Sequence, residues 1–417
     1  MVRKMKDSGV EWIGEIPEDW EVTKVKHIGK YINGYPFMPR DWADSGIPII
    51  RIQNLTGNNS EYNYYNGVKL PEDYFIRRND YLISWSATLG VYIWNEEIGY
   101  LNQHIFKAIP NERVIDYDYF YWVAKIFIDE IQSYMHGSTM QHVTKSAFDN
   151  FTIPLPRDRE HQKRISETLS SRLKLINAIK KNIMRELETL EAYKKSVITE
   201  AVTKGLDKNA EMKDSEIEYI GEKPKHWDIK KIKYLITERN IRSTDGKGEL
   251  LSVSQYKGVI PSSQNSMRTA QARSLIGYKV VKKGDLVFNK LNPELARFSV
   301  SKYDGITSPD YAVYIVNRSQ ILEKFLEYVL KTDRYAAEYG RVTLGVGDGF
   351  KRLYTNQLGR FFISCPSIEE QEEILSYLNK KTETIDEVIA IKQNQLSVLD
   401  EYKKSLIYEY VTGKREV

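Results

Sequence analysis

Apolar residues along this chain follow two regimes. From Ile165 they recur every three or four positions, through Leu169, Leu173, Ile176, Ile179, Ile183, Leu187, Leu190, Tyr193 and Val197 to Ala201, with charged and polar residues between and no Pro or Gly. A stripe held over about five heptads predicts a long helix with a coiled-coil seam. A second stripe runs Ile374, Leu378, Ile385, Val388, Leu396, Leu399, Tyr402, Leu406 and Tyr410, weaker in its middle where Lys381 and Lys392 fall near the seam. One stripe needs a partner to cover it, and two of matching length predict an intramolecular pair. Helices of roughly 40 residues would extend about 60 Å. Elsewhere the pattern is short and strand-like. Strands are predicted over 22–32, 47–55, 81–84, 90–94 and 101–109, with a helix over 117–134. In the second half they are predicted over 249–253, 286–289 and 307–316, with a helix over 321–339.

The second half copies the first at its ends. The segment 7–28, DSGVEWIGEIPEDWEVTKVKHI, aligns with 214–235, DSEIEYIGEKPKHWDIKKIKYL, sharing Asp7, Ser8, Glu11, Ile13, Gly14, Glu15, Pro17, Trp20, Lys24 and Lys26. The helical ends, LEAYKKSVITEAVT and LDEYKKSLIYEYVT, match at an offset of 209. The middles hardly match. One architecture used twice, with two different working surfaces, is the expectation. The parts are a mixed α/β domain at 1–156, a helix at 157–206, a second domain at 207–366 and a second helix at 367–417.

Composition narrows the chemistry. With 41% hydrophobic and 28% charged residues the chain reads as soluble and globular. No apolar run resembles a signal peptide or a membrane span, and the single cysteine, Cys365, fits a reducing cytoplasm. A net charge of +4 permits a polyanionic partner without demanding one. There is no GxxxxGK[ST], and six dispersed histidines with one cysteine cannot build a zinc cage. Asn292-Pro293-Glu294 lacks the second proline and aromatic of an amino-methyltransferase signature and reads as a turn. Ser138 and His142 share a loop, but no acid is placed to orient a triad. The chain reads as a non-enzyme with no cofactor of its own.

The diverged polar loops are what remains. In the first half they carry Arg51, Gln53 and Asn54; Ser84, Trp85, Ser86 and Thr88; Asn102, Gln103 and His104; and Ser138, Thr139, Gln141, His142, Thr144 and Lys145. In the second they carry Ser252, Ser254 and Gln255; Arg268; Asn289, Lys290 and Asn292; Ser308 and Asp310; and Asp348, Lys351 and Arg352. Arg, Asn, Gln and Lys are the side chains that read base edges, and Ser, Thr and Lys contact phosphates. Singly, each is more simply a solvated loop residue. As a set on a duplicated scaffold they point to double-stranded DNA, against the alternative of a coiled-coil scaffold with two protein-binding modules.

Over nearly its whole length the sequence resembles the specificity subunit of type I restriction–modification enzymes. The resemblance rests on the duplicated ExIGExPxxW, on GIPIIRIQNL, on DYLISWSATLG followed by YLNQHIFKAIP, on GSTMQHVT before IPLPRDREHQKRI, on DGITSPDYAVY and on the paired YKKS helices. It implies an α+β fold: two duplicated mixed α/β target-recognition domains separated by two long helices packed as an antiparallel coiled coil. The seam would hold Ile165, Leu169, Ile176, Ile183, Leu187, Leu190 and Val197 against Ile374, Leu378, Ile385, Leu396, Leu399 and Leu406. It further implies a bipartite DNA target and a cytoplasmic complex with two modification and two restriction subunits. Those partners would carry S-adenosylmethionine, ATP and Mg. The recognition loops fall at 84–88, 103–104 and 138–145, then at 289–292 and 347–352. The second half has FNKLN and SPD where the first has SWS and NQH.

Overall fold

The computed structural model describes residues 3–57, 61–86, 88–136, 144–254, 257–264, 274–343 and 351–417. The chain divides into two compact units, Met1–Ile183 with Asn394–Val417, and Met184–Gln393. The two long helices, Arg159–Lys204 and Ile368–Val411, therefore each contribute residues to both units.

Within the first unit a four-stranded sheet places Gly29–Asn33, Ile105–Pro110, Tyr81–Ser84 and Gly90–Ile93 side by side. A second sheet orders Asn63–Tyr65, Ile47–Ile50, Ile98–Leu101 and Phe75–Arg77, and its two central strands are parallel. The second unit repeats both orders. Ile236–Glu238, Tyr311–Val316, Leu286–Asn289 and Phe298–Val300 form one sheet; Gly258–Pro261, Leu250–Ser254, Gly305–Thr307 and Lys279–Val281 form the other, again with a parallel central pair. Two-stranded ladders also recur: Trp20–Lys24 with Thr152–Pro156, and Asp228–Lys231 with Phe362–Cys365. Halves whose middles share little sequence thus share one topology.

Several predicted strands are broken, each for a local reason. The stretch 22–32 contains a helical turn, Val25–Ile28, and 232–234 is a 3-10 turn at the matching place. In both copies the residues at i and i+3 are buried, Val25 with Ile28 and Ile232 with Leu235, which is helical and not strand spacing. The stretch 47–55 is strand only to Ile50; Asn54 Oδ1 then accepts the Arg51 amide at 3.0 Å and starts a turn of helix. The stretch 101–109 is two strands in two sheets, and the polar residues 102–104 make the crossing. Residues 308–310 make the same crossing between Gly305–Thr307 and Tyr311–Val316. The helix over 321–339 is two helices, Glu323–Leu330 and Asp333–Val342, parted where Thr332 turns extended and its hydroxyl donates back to the Val329 carbonyl at 2.9 Å.

The long helices run antiparallel inside each unit. In the first, Lys180 pairs with Asp400, Lys403 Nζ donates to Asn177 Oδ1, and the Arg172 guanidinium lies over the Tyr410 ring. In the second, Lys194 pairs with Asp386 and Lys392 with Glu186. Ile165, Leu169, Ile176, Ile183, Val197, Ile374, Leu378, Ile385 and Leu406 are buried, whereas Leu187, Leu190, Leu396 and Leu399 are half-buried. Ile179, Tyr193 and Tyr402 are 41%, 52% and 43% exposed, so the stripe reading placed them one position off. At the inward positions stand Lys180, Lys194 and Lys403, spanning to the facing helix with their aliphatic stems. Ile389 and Ile407, which the stripes omitted, are buried.

A glutamine near the start of each long helix pins it to its domain. Gln162 is fully buried; its Nε2 donates to the Pro156 and Val114 carbonyls, and its Oε1 accepts the Asp116 amide at 2.6 Å. Gln371, at an offset of 209, donates to the Pro366 and Gln320 carbonyls and accepts the Leu322 amide at 2.8 Å. Gln371→Leu keeps the volume but strands those buried groups, so chemical denaturation should show a loss of about 1–3 kcal/mol in the second unit.

Candidate nucleic-acid interface

In each unit the loop residues converge where strands of the two sheets end together. Ile50 and Leu101 are register partners in the parallel pair, and the Asn102 amide donates to the Ile50 carbonyl at 3.1 Å. Arg51 and Asn102 therefore leave their strands side by side. The Trp85 amide donates to the His104 carbonyl at 3.3 Å, which brings the end of Tyr81–Ser84 to the same rim. The Trp85 ring stacks on Phe106 with centroids 5.7 Å apart, and its Nε1 donates to Asn33 Oδ1 at 3.2 Å. Lys145 lies over the rings of Tyr31, Phe106 and Phe148 and pairs with Asp149. Phe106 is thus the hub that joins Trp85 and Lys145, with His104 beside Trp85.

Not every predicted reader is available. Ser84 is fully buried and its Oγ donates to the Thr88 carbonyl at 2.6 Å, so it shapes the loop. Ser86 is buried. Thr144 caps the helix Lys145–Asn150 by accepting the Ala147 amide at 3.1 Å. Asn54 spends its amide group on the Arg51 N–H and the Glu61 carbonyl. Gln53 is half-buried, His104 and Thr88 are exposed, and Gln103 Nε2 lies 3.4 Å from His104 Nε2. Arg51 is different. Its guanidinium lies 5.1 Å over the Trp42 ring, and its Nε is buried without a hydrogen-bond partner among the described residues. Trp42 sits in a turn-rich stretch of sequence, where an aromatic carries no periodic signal.

The second unit forms the corresponding rim with other side chains. Lys290 occupies the place of Trp85, directly after Leu286–Asn289, and its Nζ donates to the Pro309 carbonyl at 3.3 Å. The Asn292 amide donates to the Lys351 carbonyl at 3.1 Å, Leu291 bridges Arg352, and Arg352 pairs with Asp310 at 3.3 Å. Lys290, Asn292, Asp310, Lys351 and Arg352 are therefore neighbours. Burial, and secondarily the charge of Lys279, lower the Lys290 pKa. Burial opposes ionisation of the adjacent Glu238. Hydrogen bonds from Lys279 (2.7 Å) and Thr355 (2.5 Å), with the Lys279 charge, outweigh that and hold its carboxyl below the ordinary range. Asn289 is buried and accepts the Leu291 amide, a loop-shaping role. Ser254 is half-buried and accepts the Lys257 amide at 3.2 Å. Asn292-Pro293-Glu294 enters a 3-10 turn, with Asn292 left-handed at φ 49°. Ser138, Thr139, Gln141, His142, Gln255, Arg268 and Asp348 lie outside the described residues.

Among the described residues no group of three or more His, Cys, Asp or Glu is placed to hold a metal ion, and no helix is long and apolar enough to cross a membrane. The rims offer hydrogen-bond donors, flat rings and cations.

Residues 17–189 match the family described as the type I restriction modification DNA specificity domain. The chain is 25% identical to the type I restriction enzyme MjaVIII specificity subunit of Methanocaldococcus jannaschii, covering 96% of this chain and 94% of that one. It is 23% identical to the EcoBI specificity subunit of Escherichia coli, over 99% and 90%. Its fold is similar to a chain solved in work on complex assembly and conformational transition of the type I R-M system, with a TM-score of 0.68 at 14% identity over 96% and 99%. It is also similar to the HsdS subunit from Thermoanaerobacter tengcongensis, with a TM-score of 0.51 at 15% identity over 96% and 98%.

Proposed function

We propose that this chain, a non-catalytic member of the type I restriction–modification specificity-subunit family, reads a bipartite, asymmetric duplex sequence with one rim for each half-site. The observation that carries the reading is a single sheet topology used twice, with different side chains at the same strand ends: Arg51, Trp85, Gln103 and His104 in one unit, Lys290, Asp310 and Arg352 in the other. Identical scaffolds with unlike donors suit two unlike half-sites. Arginine and lysine suit guanine edges in the major groove, and glutamine suits adenine. Because each long helix contributes to both units, we place the spacing of the half-sites in the helix pair. Two modification and two restriction subunits would complete the complex and bring S-adenosylmethionine, ATP and Mg.

The test is a salt titration of duplex binding with the methylating partner present. A reader neutralising about 6–10 phosphates loses roughly 10³–10⁵ in affinity between 50 and 200 mM salt. Salt-insensitive binding, or none to duplex DNA, would leave the scaffold with two protein-binding modules as the better reading.

A further inference from the structure

The second unit holds a cleft of about 830 Å³ that shares no residue with the rim described above. Its walls include Thr199 and Glu200 from the end of the first long helix and Tyr219 from the duplicated opening segment; Ser364 also lines it. Ser364 is 5% exposed, and its hydroxyl has no hydrogen-bond partner among the described residues. A buried hydroxyl left unpaired is costly, so an occupant that supplies a polar atom is favoured.

The duplication shows what this place lacks. Thr199 corresponds to Tyr408, Glu200 to Glu409 and Tyr219 to Trp12. In the first unit Tyr408 lies against the opening segment, its hydroxyl donating to the Trp12 carbonyl at 2.9 Å. Lys414 stands 4.5 Å over the Tyr408 ring, and Arg415 pairs with Glu409 at 3.2 Å. In the second unit threonine is too short to fill the same space, and Glu200 has no ion-pair partner among the described residues. Asp214 and Glu222 line the cleft as well, with Glu218, which is paired with Arg341 at 3.2 Å. Of the cations there, Lys195 is paired with Asp333, which leaves Lys204 and Arg334, the latter donating to the Ile220 carbonyl and keeping its charge against the unpaired Glu200, Asp214 and Glu222. The carboxylates outnumber the cations, so a phosphate backbone is a poor occupant.

We propose that this cleft receives a segment of a partner polypeptide that presents a tyrosine beside a lysine or arginine, the groups that Tyr408, Lys414 and Arg415 supply in the first unit. The proposal is independent of the DNA reading. A synthetic peptide copying residues 406–417 supplies those groups and can be titrated by calorimetry into the full chain. Saturable binding is expected, weakened about tenfold when the peptide's first tyrosine is replaced by alanine. Thr199→Tyr in the chain should close the cleft and weaken binding similarly. Glu200→Gln, which leaves the packing alone, should weaken it about two- to fivefold and keeps the test open if Thr199→Tyr does not fold. Absence of saturable binding, equal binding to the alanine peptide or to Glu200→Gln, or displacement by a DNA duplex overturns the proposal. So does self-association of the chain that Thr199→Tyr abolishes, which would make the occupant a second copy.

Discussion

Leu406→Asp is expected to unfold the first unit, with a loss of about 3–5 kcal/mol in chemical denaturation. Leu406 is fully buried, although it stands 223 residues beyond Ile183, where the main segment of that unit ends. Its cluster includes Ile407, Tyr410 and Val411 with Ile165, Leu169, Leu173 and Ile176 of the first long helix. An aspartate there is an unpaired charge in an apolar environment, and no relaxation of an exposed loop can rescue it. The control is Tyr402→Asp on the same helix. Tyr402 is 43% exposed, and its replacement should change stability by no more than about 0.5 kcal/mol. Equal loss in the two variants would mean that Tyr402 is as much a part of the seam as Leu406, as the sequence stripe has it, against its exposure on the helix.

Arg51→Ala should relax discrimination at one base pair of one half-site by about 1–3 kcal/mol, roughly 5- to 150-fold, while leaving the other half-site as selective as before. The Arg51 backbone is held by Asn54, and its guanidinium is seated on Trp42; among the described residues it has no hydrogen-bond or ion-pair partner. On the DNA reading, the uncommitted terminal nitrogens of a guanidinium seated on a ring at the end of a parallel strand pair suit contact to an external acceptor. Trp42→Ala should weaken the same discrimination less, by loosening the seat and not the contact. Binding to every sequence measured against a panel of single-base variants decides between roles. A uniform loss makes Arg51 a phosphate contact, whereas a loss confined to one position makes it a reader.

Legibility differed with the range of the signal. The turn before Tyr81–Ser84 shows what a short signal can do. Asn79 is left-handed at φ 75°, and Asp80 accepts the Arg77 amide; Gly284, at φ 92°, and Asp285, which accepts the Lys282 amide, repeat it. Two adjacent residues suffice for such a turn, Asn-Asp in one copy and Gly-Asp in the other, each directly before a predicted strand. The cation that pairs with each aspartate was not visible. Lys107 comes from the neighbouring strand in the first unit, whereas Arg239 follows Ile236–Glu238 in the second. The glutamine pins lie outside the repeated segments read from the sequence, and a polar residue in a mostly polar helical turn carries no periodic signal. Only the carbonyls of Pro156 and Pro366 show why it is buried.

By itself the sequence determined that one architecture occurs twice, that two long helices close the halves, and that the differences between halves are concentrated in polar loops. Those properties are periodic or local, and each residue reports them through its near neighbours in the chain. The tertiary structure decided which of those polar residues face outward. Ser84, Asn289 and Thr144 turn back to complete their own loops, while Arg51 and Lys290 stand at strand ends. It also decided that Lys180 and Lys194, and not Ile179 and Tyr193, face the opposite helix, and that the last turns of the chain complete the first unit. These outcomes depend on the register between segments distant in sequence. A shift of one residue on a helix turns a side chain by about 100°, and on a strand it moves the side chain to the other face.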